Sequence, residues 1–293
     1  MIGVDFGGTG IKAGIVVDGR VVRSASSPTP KGVPAEAVLD TIARTVLELD
    51  PAPKSVGVAI PGEVDPTGRC WGLPNVPGFK GVELGKGLSE RLRCPVAVEN
   101  DATTAALGEY LYGHGSRYPS FLMITLGTGV GGGLVIGGQL YPGGNGFSGE
   151  IGHINIDPAP NAPPCGCGKS GCLEAYTGTA ALLRKFEELG GGKVSEIADI
   201  AAAARAGNEA GIKTFQSMGE ALGRGLANIQ NVLDLNALVF TGGISQSFDL
   251  IEPSIRAALR KYSFAEPPAE VPLVVSELGS SAGVVGAAHL TEI

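Results

Sequence analysis

Twice in this chain a short apolar run enters a glycine-rich turn and leaves it as a hairpin. The first copy is residues 1–4 into Asp5-Phe6-Gly7-Gly8-Thr9, followed by strands at 13–17 and 21–26 around Asp18-Gly19. Asp-Gly between alternating apolar residues is a strong short-range hairpin signal. The second copy is residues 121–126 into Gly127-Thr128-Gly129-Val130-Gly131-Gly132-Gly133, then 134–136 and 139–141 around Gly137-Gly138. A plain dinucleotide-binding unit would pass from its first strand to a helix, so this opening argues against one, and its recurrence suggests two related halves. Apolar residues at helical spacing predict a helix over 35–49, stopped by Pro51 and Pro53. A buried strand at 55–60 ends in Pro61-Gly62. Helix 82–92, strand 96–98 and helix 102–111, with Asp101 as its N-cap, complete the first half. The second half adds helices at 179–189, 194–206 and 208–233. Strand 237–240 then ends in Thr241-Gly242-Gly243, and helix 250–261, strand 273–275 and helix 282–290 follow. Strands alternating with helices make this an α/β chain.

Residues 150–174 carry the most specific chemistry. Glu150-Ile-Gly-His153 precedes Cys165-Gly-Cys167-Gly-Lys-Ser-Gly-Cys172-Leu-Glu174. One histidine and three closely spaced cysteines supply the four ligands of a closed tetrahedral Zn²⁺ site. Cysteines are often small buried hydrophobes, but three of the chain's five within eight residues, among glycines and a lysine, fit that role poorly. A disulfide is also awkward, because Cys-x-Cys makes a strained ring and three thiols leave one over. With all four positions filled, the metal is structural rather than catalytic, and it would fix the two bracketing carboxylates.

The 293 residues allow two domains, and 47 glycines indicate tight turns and backbone close to a ligand. Lys and Arg number 22 against 29 Asp and Glu, a net charge of −7 with no long basic run, so neither nucleic acid nor an anionic membrane is an expected partner. No apolar stretch reaches spanning length, the start lacks a signal peptide's regions, and thiolate ligands suit a reducing compartment. A cytoplasmic location is expected.

Glycine turns after strands bring backbone N–H groups against phosphate oxygens. Three of them, 5–9, 127–133 and 241–243, the first led by a carboxylate, point to a nucleotide. Asp5 can hold Mg²⁺ directly or through water, and Thr9 or Thr128 can donate hydroxyl bonds. Gly127-x-Gly129-x-x-Gly132 matches a dinucleotide fingerprint with Glu150 downstream, but a hairpin rather than a helix follows it. Gly168-Lys169-Ser170 resembles the end of a P-loop, yet the required first glycine is Pro163. Asn100-Asp101 closes a strand at its carboxyl end, where α/β proteins place ligands; a helix cap is the competing role. His114, His289, Cys70 and Cys94 have no such company and read as structural.

Together these motifs resemble the ROK family, named for repressors, open reading frames and kinases, within the wider sugar kinase/Hsc70/actin superfamily. The resemblance spans essentially the whole chain. Residues 5–9 resemble the family's first phosphate motif, 126–133 its second, and 241–243 its adenosine motif. Glu150-x-x-His153 with Cys165-x-Cys167-Gly-x-x-Gly-Cys172-x-Glu174 resembles its sugar and zinc signature. The resemblance implies a two-lobed actin-like, ribonuclease H-like ATPase fold with a ligand cleft, its lobes at 1–112 plus 281–293 and at 113–280. It implies Asp101 as catalytic base, with Asn100, Asp101, Glu150, His153 and Glu174 on the sugar. His153, Cys165, Cys167 and Cys172 would hold zinc. Asp5, Gly7, Gly8, Thr9, Gly127, Thr128, Gly129, Gly131, Gly242 and Gly243 would hold Mg²⁺-ATP. Thr103 departs from the asparagine that many relatives carry. Repressor members place a helix-turn-helix ahead of the first phosphate motif, for which Asp5 leaves no room. The expected activity is ATP-dependent phosphorylation of a hexose 6-hydroxyl, with glucose ahead of N-acetylglucosamine or N-acetylmannosamine and a homodimer as the assembly. Residues 73–78 resemble a segment of glucose-using members. A non-catalytic sugar sensor and a nucleotide-dependent oxidoreductase are the readings from other classes.

Overall fold

A computed structural model describes residues 1–65, 67–73, 76 and 78–292. Pro74, Asn75 and Pro77 of the 73–78 segment lie outside the described residues. The chain opens with strands β1 (Ile2–Phe6), β2 (Gly10–Val17) and β3 (Arg20–Pro28), successively antiparallel. Asp18 (φ 47°) and Gly19 (φ 73°) both adopt the left-handed conformation that a two-residue turn of this hand demands. Helix α1 (Ala35–Leu49) follows with the bounds its periodicity predicts and buries Val38, Leu39, Ile42, Val46 and Leu49. Next come β4 (Val56–Ile60), the short pair β5 (Glu63–Val64) and β6 (Cys70–Gly72), α2 (Leu84–Leu92), β7 (Val96–Asn100) and α3 (Asp101–Tyr112). The predicted N-cap is corrected by one residue: Asp101 is the first helical residue, and Asn100 is the cap. Asn100 Oδ1 accepts from Ala102 N at 2.9 Å and Thr103 N at 3.1 Å; Asp101 Oδ1 also accepts from Ala102 N, at 2.7 Å, but it is the Asn100 side chain that extends to Thr103 N.

The second half runs β8 (Phe121–Leu126), β9 (Val130–Ile136), β10 (Gln139–Leu140), α4 (Glu174–Thr177), α5 (Thr179–Glu188), α6 (Ile197–Arg205) and α7 (Glu209–Leu233). It closes with β11 (Ala237–Thr241), α8 (Phe248–Tyr262), α9 (Glu266–Ala269), β12 (Leu273–Val275) and α10 (Ala282–His289). Two five-stranded sheets result, ordered β3-β2-β1-β4-β7 and β10-β9-β8-β11-β12. Each sheet carries its first three strands in reverse order and then adds two more beside the first. The path is the same in both, which is the duplication that the repeated opening announces. Because Val130 begins a strand, no helix follows Gly127–Gly129, and the dinucleotide fingerprint is accidental.

The chain forms two compact units. The first is Met1–Met123, Gly133–Gly149 and Ser276–Ile293; the second is Ile124–Gly132 and Glu150–Val275. Against the expected 1–112 plus 281–293, the first unit also holds 113–123, 133–149 and 276–280. Glu109, fully buried in α3, binds the closing segment by accepting from Ser276 Oγ (2.6 Å) and Glu277 N (3.2 Å). Its core packs β1, β2 and β4 against α1 and α2 through Val4, Phe6, Ile11, Leu39, Ile42, Ile60, Leu84 and Leu88, none more than 1% exposed. Each such burial contributes roughly 1.5–3 kcal/mol. Among the described residues no helix is long and apolar enough to cross a membrane.

Candidate functional site

In the first unit, the carboxyl ends of β1, β4 and β7 present the chemistry. Register places Asp5 opposite Lys12 of β2 on one side and Ala59 of β4 on the other, and Ala59 opposite Glu99 of β7. Residues opposite one another in a ladder share a face. Lys12, Asp5, Ala59 and Glu99 therefore form one transverse row in which only a methyl group separates two carboxylates. Burial pushes the Asp5 carboxyl above its ordinary range, and Lys12 pulls it back part of the way. Burial also raises Glu99, offset by the Asn100 N–H that its Oε1 accepts at 2.8 Å. Beyond Asp5 the turn is closed by Gly7 N donating to Gly10 O (2.8 Å), while Thr29 Oγ1 donates to Gly7 O (2.6 Å).

The Asn100-Asp101 turn is tightly engaged. Besides capping α3, Asn100 donates from Nδ2 to Gly62 O at 3.2 Å, and its carbonyl accepts from Thr104 Oγ1 at 2.7 Å. Among the described residues, Asn100 Nδ2 donates one bond and so has a second amide hydrogen for another partner. Half-buried Asp101 opens α3, and its Oδ1 accepts the Ala102 N–H at 2.7 Å.

In the second unit the Gly127–Gly129 turn is closed one residue tighter than the first and shares its threonine bond. Gly127 N donates to Gly129 O (3.0 Å), and Thr179 Oγ1 donates to Gly127 O (2.8 Å) as Thr29 does to Gly7. Gly131, expected among the phosphate-binding glycines, lies in β9 with its N–H donated to Thr125 Oγ1 at 3.1 Å. Gly242 begins the turn after β11 at φ 92°, with Leu126 O so near that a Cβ would lie 2.3 Å from it.

Glu174, at the start of α4, accepts the Val130 N–H on Oε2 at 3.0 Å; its Oε1 lies 3.7 Å from Cys165 Sγ. A Cβ on Gly129 would sit 2.4 Å from Glu174 Oε2, so glycine there is the condition for this approach. One carboxylate thereby touches both the glycine turn and the cysteine cluster. That link joins residues 44 apart and has no local sequence signal.

His153, Cys165, Cys167 and Cys172 bring one ligand atom each to within 4.8 Å of one another. With Zn–S about 2.3 Å and Zn–N about 2.0–2.1 Å, tetrahedral edges are about 3.8 Å for S···S and about 3.6 Å for S···N. Cys167 Sγ to Cys172 Sγ is 3.7 Å and Cys165 Sγ to His153 Nδ1 is 3.6 Å. The donor set fits a tetrahedral ion, and the sulfurs are far too distant for a disulfide. Burial pushes the Cys165 thiol up to about 12 and raises Cys172, whereas the Lys169 backbone N–H holds Cys167 down. Nδ1 of His153 faces the sulfurs and Nε2 lies 3.8 Å from Glu150 Oε2, so each ring nitrogen has its own direction.

Every expected site residue is described, in two groups. Asp5–Thr9, Asn100 and Asp101 belong to the first unit, and Gly127–Gly131, Glu150, His153, Glu174, Gly242, Gly243 and the cysteines to the second. Lys12 and Glu99 were missed. Strand periodicity, which puts them on Asp5's face once the strand partners are known, is the signal that finds them.

A profile of the ROK family matches residues 1–292. The chain is 34% identical to a glucokinase of Streptomyces coelicolor, over 99% of this chain and 96% of that protein. It is 32% identical to an N-acetyl-D-glucosamine kinase of Pasteurella multocida, over 98% of each. Among solved structures, a ROK family glucokinase from Streptomyces griseus in complex with glucose and AMPPNP matches with a TM-score of 0.84 and 34% identity, covering 99% of this chain and 98% of that one. The chain belongs to the ROK family and has its two-lobed, actin-like α/β fold.

Proposed function

We propose that this ROK-family chain transfers the γ-phosphoryl group of ATP to the 6-hydroxyl of a glucose-type hexose, with glucose preferred. The observation that carries the reading is the full-length similarity to glucokinases, combined with an acid at the head of α3 and a metal-spaced cluster beside Glu150 and Glu174. Asp101 accepts the proton of the attacking hydroxyl, which is worth roughly 10²–10⁴-fold. Asn100, through its remaining amide hydrogen, and Glu150, His153 and Glu174 recognise the sugar's hydroxyls. Backbone N–H groups of residues 7–9, 127–129 and 242–243 cradle the nucleotide. Mg²⁺ bound with ATP would supply charge neutralisation of the transferring group, and Asp5 is the carboxylate we assign to hold it.

Zinc is the ion we assign to His153, Cys165, Cys167 and Cys172. Its role is structural: binding at Nδ1 leaves Nε2 of His153 to face a sugar hydroxyl. The thiolates keep this reading in a reducing cytoplasm, and the assembly we expect is a homodimer. A coupled ADP-release assay over a hexose panel that includes N-acetylated sugars tests the assignment. Glucose should give the highest kcat/KM. A tenfold preference for an acetamido sugar, about 1.4 kcal/mol in transition-state binding, overturns the choice of sugar. No ADP release with any hexose overturns the kinase reading.

A further inference from the structure

The only tryptophan of the chain, Trp71 in β6, is 54% exposed, and Phe147 is 41% exposed beside it. Their ring centroids are 6.3 Å apart with planes inclined at 59°. Tyr141, 49% exposed, opens the loop that carries Phe147. Clustered exposed rings mark interaction surfaces more often than single ones do.

This pair is built onto the catalytic turn. Gly146, next to Phe147, backs onto β5 so closely that a Cβ would lie 2.6 Å from Val64 O, and β5 pairs with β6 through Glu63 and Gly72. Gly62 approaches Gly72 until a Cβ would lie 2.1 Å from Gly72 O. The Gly62 carbonyl in turn accepts the Asn100 amide at 3.2 Å. Direct contacts therefore run from Asn100, the neighbour of Asp101, through Gly62 and Gly72 to Trp71, all within the first unit. Phe147 also lies three residues before Glu150 in sequence.

The hexose-kinase reading assigns polar groups to the hydroxyl rim of the sugar and nothing to its ring face. A pyranose has C–H faces that are apolar, and small-molecule sites combine apolar or aromatic walls with a few placed polar groups. We propose that Trp71 and Phe147 form an aromatic wall that receives the C–H face of the hexose, making both of them sugar-contacting residues. The proposal rests on the kinase reading. The hairpin fastened to Asn100 holds the wall in register with Asp101, so ring stacking helps aim the 6-hydroxyl at its base.

The test combines fluorescence with calorimetry on the full chain. Trp71 is the sole tryptophan, so its emission should change saturably with glucose in the absence of nucleotide, with a midpoint equal to the calorimetric Kd. Trp71→Ala and Phe147→Ala should each weaken glucose binding about tenfold, as expected for a lost aromatic contact. The KM for ATP and the thermal midpoint should stay near the parent's, because both side chains are substantially exposed. An active parent whose two variants keep glucose affinity within about twofold overturns the wall and leaves the kinase intact. Unchanged Trp71 emission at saturating glucose overturns it equally. A parent that phosphorylates no hexose removes both readings together.

Discussion

Replacing Asn100 separates the helix cap that its side chain forms from the sugar contact proposed for it. Asn100→Ala removes the cap that accepts from Ala102 N and Thr103 N and the bond from Nδ2 to Gly62 O. Losing an asparagine cap costs about 1 kcal/mol, within a range of roughly 0.5–2. Losing the second bond costs about 0.5–1.5 kcal/mol. The total is about 2 kcal/mol, which at a urea slope of about 2 kcal/mol per M moves the unfolding midpoint down by about 1 M. Asn100→Asp keeps an oxygen for the cap but has no N–H for Gly62 or a sugar. Its midpoint should therefore fall by about half as much or less, while its glucose KM rises. The measurements are urea unfolding by circular dichroism and steady-state kinetics on the same preparations. An Asn100→Ala midpoint equal to the parent's would refute the capping argument. An Asn100→Asp variant with unchanged glucose KM would refute the sugar contact assigned to the remaining amide hydrogen.

The metal site should bind one zinc per chain by elemental analysis, and Cys167→Ser should lose the ion together with stability and glucose affinity; normal affinity without metal would break the proposed coupling. Glu99→Gln addresses the buried row. The folded state raises this carboxyl, so the unfolded chain releases its proton first, and the cost of holding the charge grows as pH rises from the ordinary carboxylate range through the raised value. The variant should therefore be more stable than the parent at neutral pH and should lose that advantage in acid, read by thermal unfolding across pH; equal midpoints at every pH would mean that burial does not penalise the Glu99 charge.

What was legible in the sequence is local. Asp18-Gly19 specifies its hairpin because both residues must take positive φ, and α1 follows from spacing alone because its apolar stripe is uninterrupted between Pro34 and Pro51. The candidate metal cluster is legible because one histidine and three cysteines fall within twenty residues. What was misread or missed depends on partners distant in sequence. Asn100 and Asp101 are equally good caps by residue type, and the choice between them turns on where β7 stops, at the register with Ile60. Two-residue strands such as β5 carry too little alternation to detect. The bond between Glu174 and Val130 N exists only once the fold brings them together. Gly131 looked like its neighbours Gly127 and Gly129 but lies in a strand, its N–H already used by Thr125.

The central claim, that Asp101 is the base of a hexose 6-kinase, is tested most directly by Asp101→Asn. Its glucose affinity by calorimetry should stay near the parent's, because an amide can still hydrogen-bond to the hydroxyl. Formation of hexose 6-phosphate, followed by phosphorus NMR, should fall by roughly 10²–10⁴-fold. Hexose 6-phosphate formed at near-parental rate by that variant would contradict the account and transfer the role of base to another group.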